Sequence, residues 1–318
     1  KWADFKNVPF FMNMRKPMQV MDEWHETGEK QLLNGKVIPD GQSGIQDVHA
    51  VIDNLFNHPN VAPFLSRLVI QRWIKANPSP ADIERVARKF NDNGQGERGD
   101  FGAVIKTILL DSEARDCSRL ADTPSGKLRE PFVKNTQLLK GFNAYNESNK
   151  LYGLGFLTEN VSKQHVLNSP SVFNFFLPDF QPNGAITDKN LVAPEFQLHT
   201  ASTAISNANF LYNSFLGEIY LLVSTKANAN LVGIPEFDFA KFDPKDQVRL
   251  DLSDELVLKA NPKELVDRLD IILTGGQLSE ESKRIILETI TPLLPFDDFA
   301  VKAAFYLITL SPDYNIRK

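Results

Sequence analysis

The chain of 318 residues carries 35 basic and 40 acidic side chains, a formal net charge of −5, which argues against a nucleic-acid partner, because such a surface needs a basic stripe. Hydrophobic residues at 42% and charged ones at 24% suit a packed core in one large or two smaller domains. The single cysteine, Cys117, excludes an internal disulfide framework and a multi-thiolate zinc site, and no apolar run reaches the roughly 18 residues of a membrane span.

The opening Lys1-Trp2-Ala3-Asp4-Phe5 reads as the middle of a structured region, so the expectation is a processed chain or a fragment of a longer one. Residues 1–40 form a small β-containing lobe. Within it Gln31-Leu32-Leu33 and Lys36-Val37-Ile38 flank Asn34-Gly35, the pair that a tight hairpin favours because both central residues take positive φ.

After Gly44 the apolar period becomes helical. Ile45, Val48, Ile52, Leu55 and Phe56 predict one helix, and Val61, Phe64, Leu65, Leu68, Val69 and Trp73 a second. Ile83, Val86, Ala87 and Phe90 predict a third, and Phe101, Val104, Ile105 and Ile108, behind Asp100 as N-cap, a fourth. Short connections make residues 41–145 an antiparallel helical bundle, with a further helix from Pro131 to about Tyr145. Residues 146–195 lack sustained periodicity, and within 146–223 a long irregular aromatic and proline-rich segment leads into one helix from Pro194 to about Tyr220. A polar insert covers 224–250, and 251–318 is a carboxy-terminal helical subdomain with helices at 262–274, 279–291 and 297–310. The fold class is therefore mainly α, an antiparallel helical bundle with a small amino-terminal β-hairpin lobe.

Gly94, Gly96 and Gly99 match a dinucleotide fingerprint letter for letter, but the segment before them is an amphipathic helix instead of a strand. Gly94 is better read as a helix C-cap. The densest ionisable cluster is Trp24-His25-Glu26-Thr27-Gly28-Glu29-Lys30. An imidazole beside carboxylates suits a divalent metal, with His25, Glu26 and Glu29 as ligands, or an acid–base pair of His25 and Glu26. The same residues equally suit a charged turn with an internal salt bridge to Lys30. Arg67 and Arg72 on an otherwise apolar helix require carboxylates or backbone carbonyls. Gly126-Lys127-Leu128-Arg129-Glu130-Pro131 adds a cationic group at a helix start, with Arg129 as a candidate anion clamp. The aromatic run offers Phe173, Phe175, Phe176 and Phe180 as a ligand or partner surface, or as wedges onto the helical core. Glu195 and His199, four apart on the predicted helix, share a face beside them.

These segments also carry a resemblance. His25 to Lys30, Gly41-Gln42-Ser43-Gly44, His58 to Pro63, Asn77 to Pro80, Arg98-Gly99-Asp100, Leu109 to Arg115 and Gly126 to Pro131 resemble the carboxy-terminal half of the bacterial domain-of-unknown-function family 1800. Pro170 to Phe176, Ala193 to Phe196 and Leu273 to Gly276 resemble one of its longer branches. The resemblance implies a mostly helical, commonly exported bacterial protein, periplasmic or extracellular. It implies as partners the product of a neighbouring family 1501 gene and an absent amino-terminal half of the same polypeptide. It carries no activity. Where the family has His-Asp, this chain has His25-Glu26. Two functional readings follow. One is a binding or assembly component of the cell envelope or extracellular space, using the aromatic segment. The other is a metal-assisted or acid–base hydrolase of an extracellular polymer, with His25, Glu26 and Arg129 at its site.

Overall fold

The computed structural model describes residues 17, 19–118, 126–147, 149, 161–165, 167–215, 245, 248–296 and 298–317. It divides into two compact units, 1–66 with 86–104, and 67–85 with 105–318. Among the described residues it is mainly helical, with one two-stranded antiparallel sheet near the amino terminus and a second that joins residues 127–128 to 316–317. No helix of the described residues is long and apolar enough to cross a membrane.

In the first unit β1 (Lys30–Gln31) pairs with β2 (Val37–Ile38). Asn34 and Gly35 take φ of 58° and 71°, as the Asn-Gly signal requires. The turn is longer than two residues, however, because Leu33–Gly35 forms a 3-10 turn between the strands. Helix α1 (Gly44–Phe56) starts at Ser43, whose amide and hydroxyl both donate to Gln46 Oε1. A Cβ on Gly44 would lie 2.4 Å from Val20 Cγ1 and against the His25 ring, so only glycine fits there. The apolar stripe of α1 is not buried: Ile45, Val48, Ile52 and Leu55 are all exposed.

Helices α2 (Val61–Trp73), α3 (Pro80–Asn91) and α4 (Phe101–Leu110) follow at the predicted places. The glycine-rich stretch closes on itself between α3 and α4. Asp92 Oδ1 accepts from the Gly94 and Gly96 amides, which hold its carboxyl below the usual range. Asp100 Oδ1 accepts from Ala103 at the head of α4. Phe56 and Phe101 pack on Phe90 with centroids 5.9 and 6.0 Å away, under the Arg98 guanidinium, which donates to the Phe56 carbonyl. Gly99 lies in this cluster at φ 79°, and a Cβ there would sit 2.5 Å from Phe56 Cζ. Gly99→Ala is expected to lose more than about 1 kcal/mol in urea unfolding. Gly96→Ala, at φ 83° but facing open space, is expected to lose less, since it carries the backbone strain without the clash.

The second unit is centred on α10 (Pro262–Thr274), α11 (Glu280–Ile290) and α12 (Phe299–Leu310). Leu265, Leu269 and Leu273, spaced by four, are at most 1% exposed, as are Ile290, Ala304, Phe305 and Ile308. The Phe142 ring meets Phe305 with centroids 4.5 Å apart. Gly275 ends α10 in the left-handed conformation, φ 73°. Before this core come α5 (Ser112–Arg115), β3 (Lys127–Leu128), α6 (Pro131–Gly141), α7 (Ala185–Asp188), α8 (Ala201–Phe215) and α9 (Ser253–Val257). After it come α13 (Pro312–Asn315) and β4 (Ile316–Arg317), which pairs antiparallel with β3.

Two expected helices are shorter than the sequence suggested. Helix α6 ends at Gly141, and Tyr145 instead bridges to Arg249. The helix expected from Pro194 is divided: Pro194–Gln197 is a 3-10 turn and α8 begins at Ala201. Thr203 Oγ1 donates to the Leu198 carbonyl and accepts from the Thr200 amide, which separates the two pieces. Residues 1–16, most of 146–160, the extension to Tyr220 and most of the polar insert lie outside the described residues.

Candidate functional site

The irregular segment of the second unit is attached by side chains that come from the end of α2 and the turn before α6. Lys127 Nζ donates to the Gln71 and Arg72 carbonyls at 3.0 and 2.7 Å, where the negative end of a helix favours a cation. The same ammonium lies 2.9 Å from Glu195 Oε1, and Glu195 is 1% exposed. Arg72 stacks 3.9 Å above the Phe176 ring, donates to the Phe173 carbonyl and lies 3.6 Å from Glu130 Oε1. Gln71 Nε2 donates to the Pro178 carbonyl, and the Asn77 side chain makes a reciprocal pair with the Val192 backbone. Backbone that no helix or sheet satisfies is thereby satisfied by buried amides and cations.

Phe176 is buried at 5% exposure beneath Arg72, and Glu195 is buried in its ion pair. Neither is available as a contact surface: both hold the segment down. Phe175 and Phe180 are half-buried, while Phe173 is 41% exposed. The predicted shared helical face of Glu195 and His199 does not exist, since Glu195 lies in the 3-10 turn Pro194–Gln197 and His199 in the break between that turn and α8.

His199 belongs to a neighbouring group around Arg129. Its Nε2 lies 3.1 Å from the Arg129 carbonyl, a geometry in which Nε2 carries the proton and donates. Burial, and then the Lys134 charge, push its pKa down to about 4. Arg129 Nη1 donates to Gln137 Oε1 and to the Leu273 carbonyl, and its guanidinium lies 4.9 Å from the Tyr314 ring centroid. Lys134, 3% exposed, has the neutral Asn315 Oδ1 at 2.6 Å. Burial, reinforced by Arg129, brings this ammonium down to about 7. Tyr314 donates its hydroxyl to the Lys134 carbonyl, and burial pushes its own pKa up. A cleft of about 250 Å³ opens beside the group, lined by Arg129, Gln137, Leu273, Thr274, Gln277 and Arg317.

A second charged group in the same unit pairs two cations with three carboxylates. Lys75 lies 3.2 Å from Asp82 and 2.6 Å from Glu113. Arg85 reaches Asp111 through two hydrogen bonds and Glu113 through a third. Burial alone would raise Glu113, but hydrogen bonds from Lys75, Ser79 and Arg85 bring it to about 2. Burial leaves Asp82 raised.

In the first unit His25 Nε2 lies 3.1 Å from Asp47 Oδ2, and Lys30 Nζ lies 2.8 Å from the same oxygen. Glu26 Oε1 accepts from the Gly28 amide at 2.6 Å, and Glu29 is exposed. Lys30 also donates to the Glu26 and Gly28 carbonyls, so the expected internal salt bridge is replaced by backbone contacts and Asp47. Among the described residues no three His, Cys, Asp or Glu side chains are grouped as a metal ion would need. The sequence reading missed Asp47. Its only signal was an acid in the first turn of α1, a common place for one.

Fold and site together define a mainly helical protein whose irregular aromatic segment is held by buried ions and amides. The chain belongs to the family described as protein of unknown function (DUF1800), whose profile matches residues 7–316. That match covers nearly the whole chain, and the finer expectation of a carboxy-terminal half of the family is not borne out. No curated protein and no solved structure matches it.

Proposed function

We propose that the protein is an exported bacterial binding component of the cell envelope or extracellular space, engaging a partner protein through residues 167–177. The observation that carries this reading is the exposure of Leu167 at 93%, Val172 at 96%, Phe173 at 41% and Leu177 at 42%. A run of large exposed apolar side chains within eleven residues of one segment supports an interaction surface, the usual meaning of exposed apolar area when it is contiguous. Here they stand on a segment fixed from beneath by Arg72 on Phe176 and Gln71 on Pro178. Such preorganisation lowers the ordering cost of association and supports a docking role. Export, and a location in the periplasm or outside the cell, rest on the habit of the family. So does the partner, the family 1501 product of a neighbouring gene.

The double substitution Val172→Asp with Phe173→Ser tests it, since both side chains are exposed and their loss leaves the core intact. Titration against the purified family 1501 partner is expected to show binding weakened at least about 30-fold, the loss typical of an interface hot spot. Unchanged affinity, with unchanged melting temperature, overturns the reading.

A further inference from the structure

We infer that the cleft lined by Arg129, Gln137, Thr274, Gln277 and Arg317 is a binding site for an oxyanion, a carboxylate or phosphate group held by the two guanidinium groups. The inference is independent of the docking loop.

The argument begins with charge. The other buried cations in this unit face carboxylates: Lys75 has Asp82 and Glu113, and Lys127 has Glu195. Arg129, by contrast, has as its nearest acceptors the neutral Gln137 side chain and the Leu273 carbonyl. Arg317 makes no ion pair and no side-chain hydrogen bond among the described residues, although its backbone is fixed in β4 by pairing with Lys127. The buried Lys134 ammonium, whose charge also acts on Arg129's neighbour His199, donates to the neutral Asn315 side chain. Two guanidinium groups thus line one opening with no acid among its described lining residues, in a chain whose net charge is −5. The like charge of Arg317 acts with burial to weaken protonation of Arg129. An arrangement of this kind is unfavourable when empty and is relieved by an anion.

A structural role explains one of the two arginines. Arg129 Nη1 satisfies the Leu273 carbonyl in the last turn of α10, a favourable place for a cation. Among the described residues nothing of that kind holds the Arg317 side chain on the opposite strand. A planar fork of N–H donors matches the paired oxygens of a carboxylate or phosphate, which a lysine would meet only as a point charge. Gln277 and Thr274 add polar groups to the lining, and the volume holds the anion with a small attached group.

The test uses the full chain and two probes, inorganic phosphate and succinate, each compared with sodium chloride at equal ionic strength. Calorimetric titration and thermal unfolding are expected to show saturable binding of one probe at millimolar concentration or tighter. A preference for phosphate assigns a phosphorylated ligand, and a preference for succinate assigns a carboxylate. Arg317→Gln, at an exposed position, is expected to weaken binding at least tenfold with the fold unchanged, and Arg317→Lys to recover part of it. If neither probe binds beyond the salt control, or if Arg317→Gln binds like the unaltered protein, the inference is overturned.

Discussion

Lys127→Met is expected to lower the stability of the protein by about 3–5 kcal/mol, the usual result of removing one partner of a buried ion pair. Glu195 is 1% exposed, and its Oε2 has no hydrogen-bond partner among the described residues, so Lys127→Met removes the ammonium that compensates this carboxylate at Oε1. The substitution also releases the Gln71 and Arg72 carbonyls at the end of α2. Lys127→Met combined with Glu195→Leu removes both charges and is expected to recover most of the loss, since an apolar pair of similar volume often matches a buried ion pair. What remains is the cost of the freed carbonyls, about 1–2 kcal/mol. Urea unfolding of the two single variants and the double variant measures this cycle. A loss below about 1 kcal/mol in Lys127→Met would show that Glu195 finds another partner.

Lys134→Met is expected to act in the opposite direction and to depend on pH. In the folded protein the ammonium titrates at about 7, against 10.5 for the ordinary side chain. Between these two values the unfolded chain binds a proton that the folded one does not. Stability therefore rises with pH across that window. Below about 7 both states are charged and the full penalty of a buried ammonium is present. The separation corresponds to at most about 5 kcal/mol. The variant removes this slope, so its advantage over the unaltered protein is largest near pH 7 and shrinks towards pH 9.5. The lost hydrogen bond to Asn315 reduces the gain by about 1 kcal/mol. Chemical unfolding of both proteins at intervals from pH 6.5 to 9.5, compared as a difference, isolates Lys134 from the tyrosines, which titrate higher. A difference that stays constant with pH would refute the assignment.

The elements that the sequence displayed most clearly are those whose signals are local. Helix α10 shows why: Asn261 and Pro262 start it, Leu265, Leu269 and Leu273 repeat at four, and Gly275 ends it. Periodicity in α1 was equally strong and gave the right helix, but not the fate of its face. Ile45, Val48, Ile52 and Leu55 are exposed, because an apolar stripe records which side is distinct and not what covers it. The break before α8 was hidden because Thr200 and Thr203 act through side-chain bonds to nearby backbone, which compete with a helical pattern without interrupting it. The cations between Gly126 and Pro131 were recognised as a group, but their partners lie far along the chain. Lys127 meets Glu195, and Arg129 meets the Leu273 carbonyl. Asp47 beside His25 was missed for the same reason. Charge pairing across long separations has no period and no neighbour rule, so it becomes visible only when the fold brings the groups together.

The pairing of β3 with β4 makes a closed ring of the backbone between Leu128 and Ile316. Joining ends separated by roughly 190 residues costs about 4–5 kcal/mol of chain entropy. Two short strands cannot meet that cost by themselves. The clasp also draws on the Arg129 amide bonded to the Asn315 carbonyl and on Tyr314 bonded to the Lys134 carbonyl. Contacts across so long a loop are slow to form, because the closure entropy must be met before they contribute. Arg317 reaches the cleft only once that ring is shut. An anion bound there would act as a lock on the ring, favouring its closed form at equilibrium by its affinity for that form.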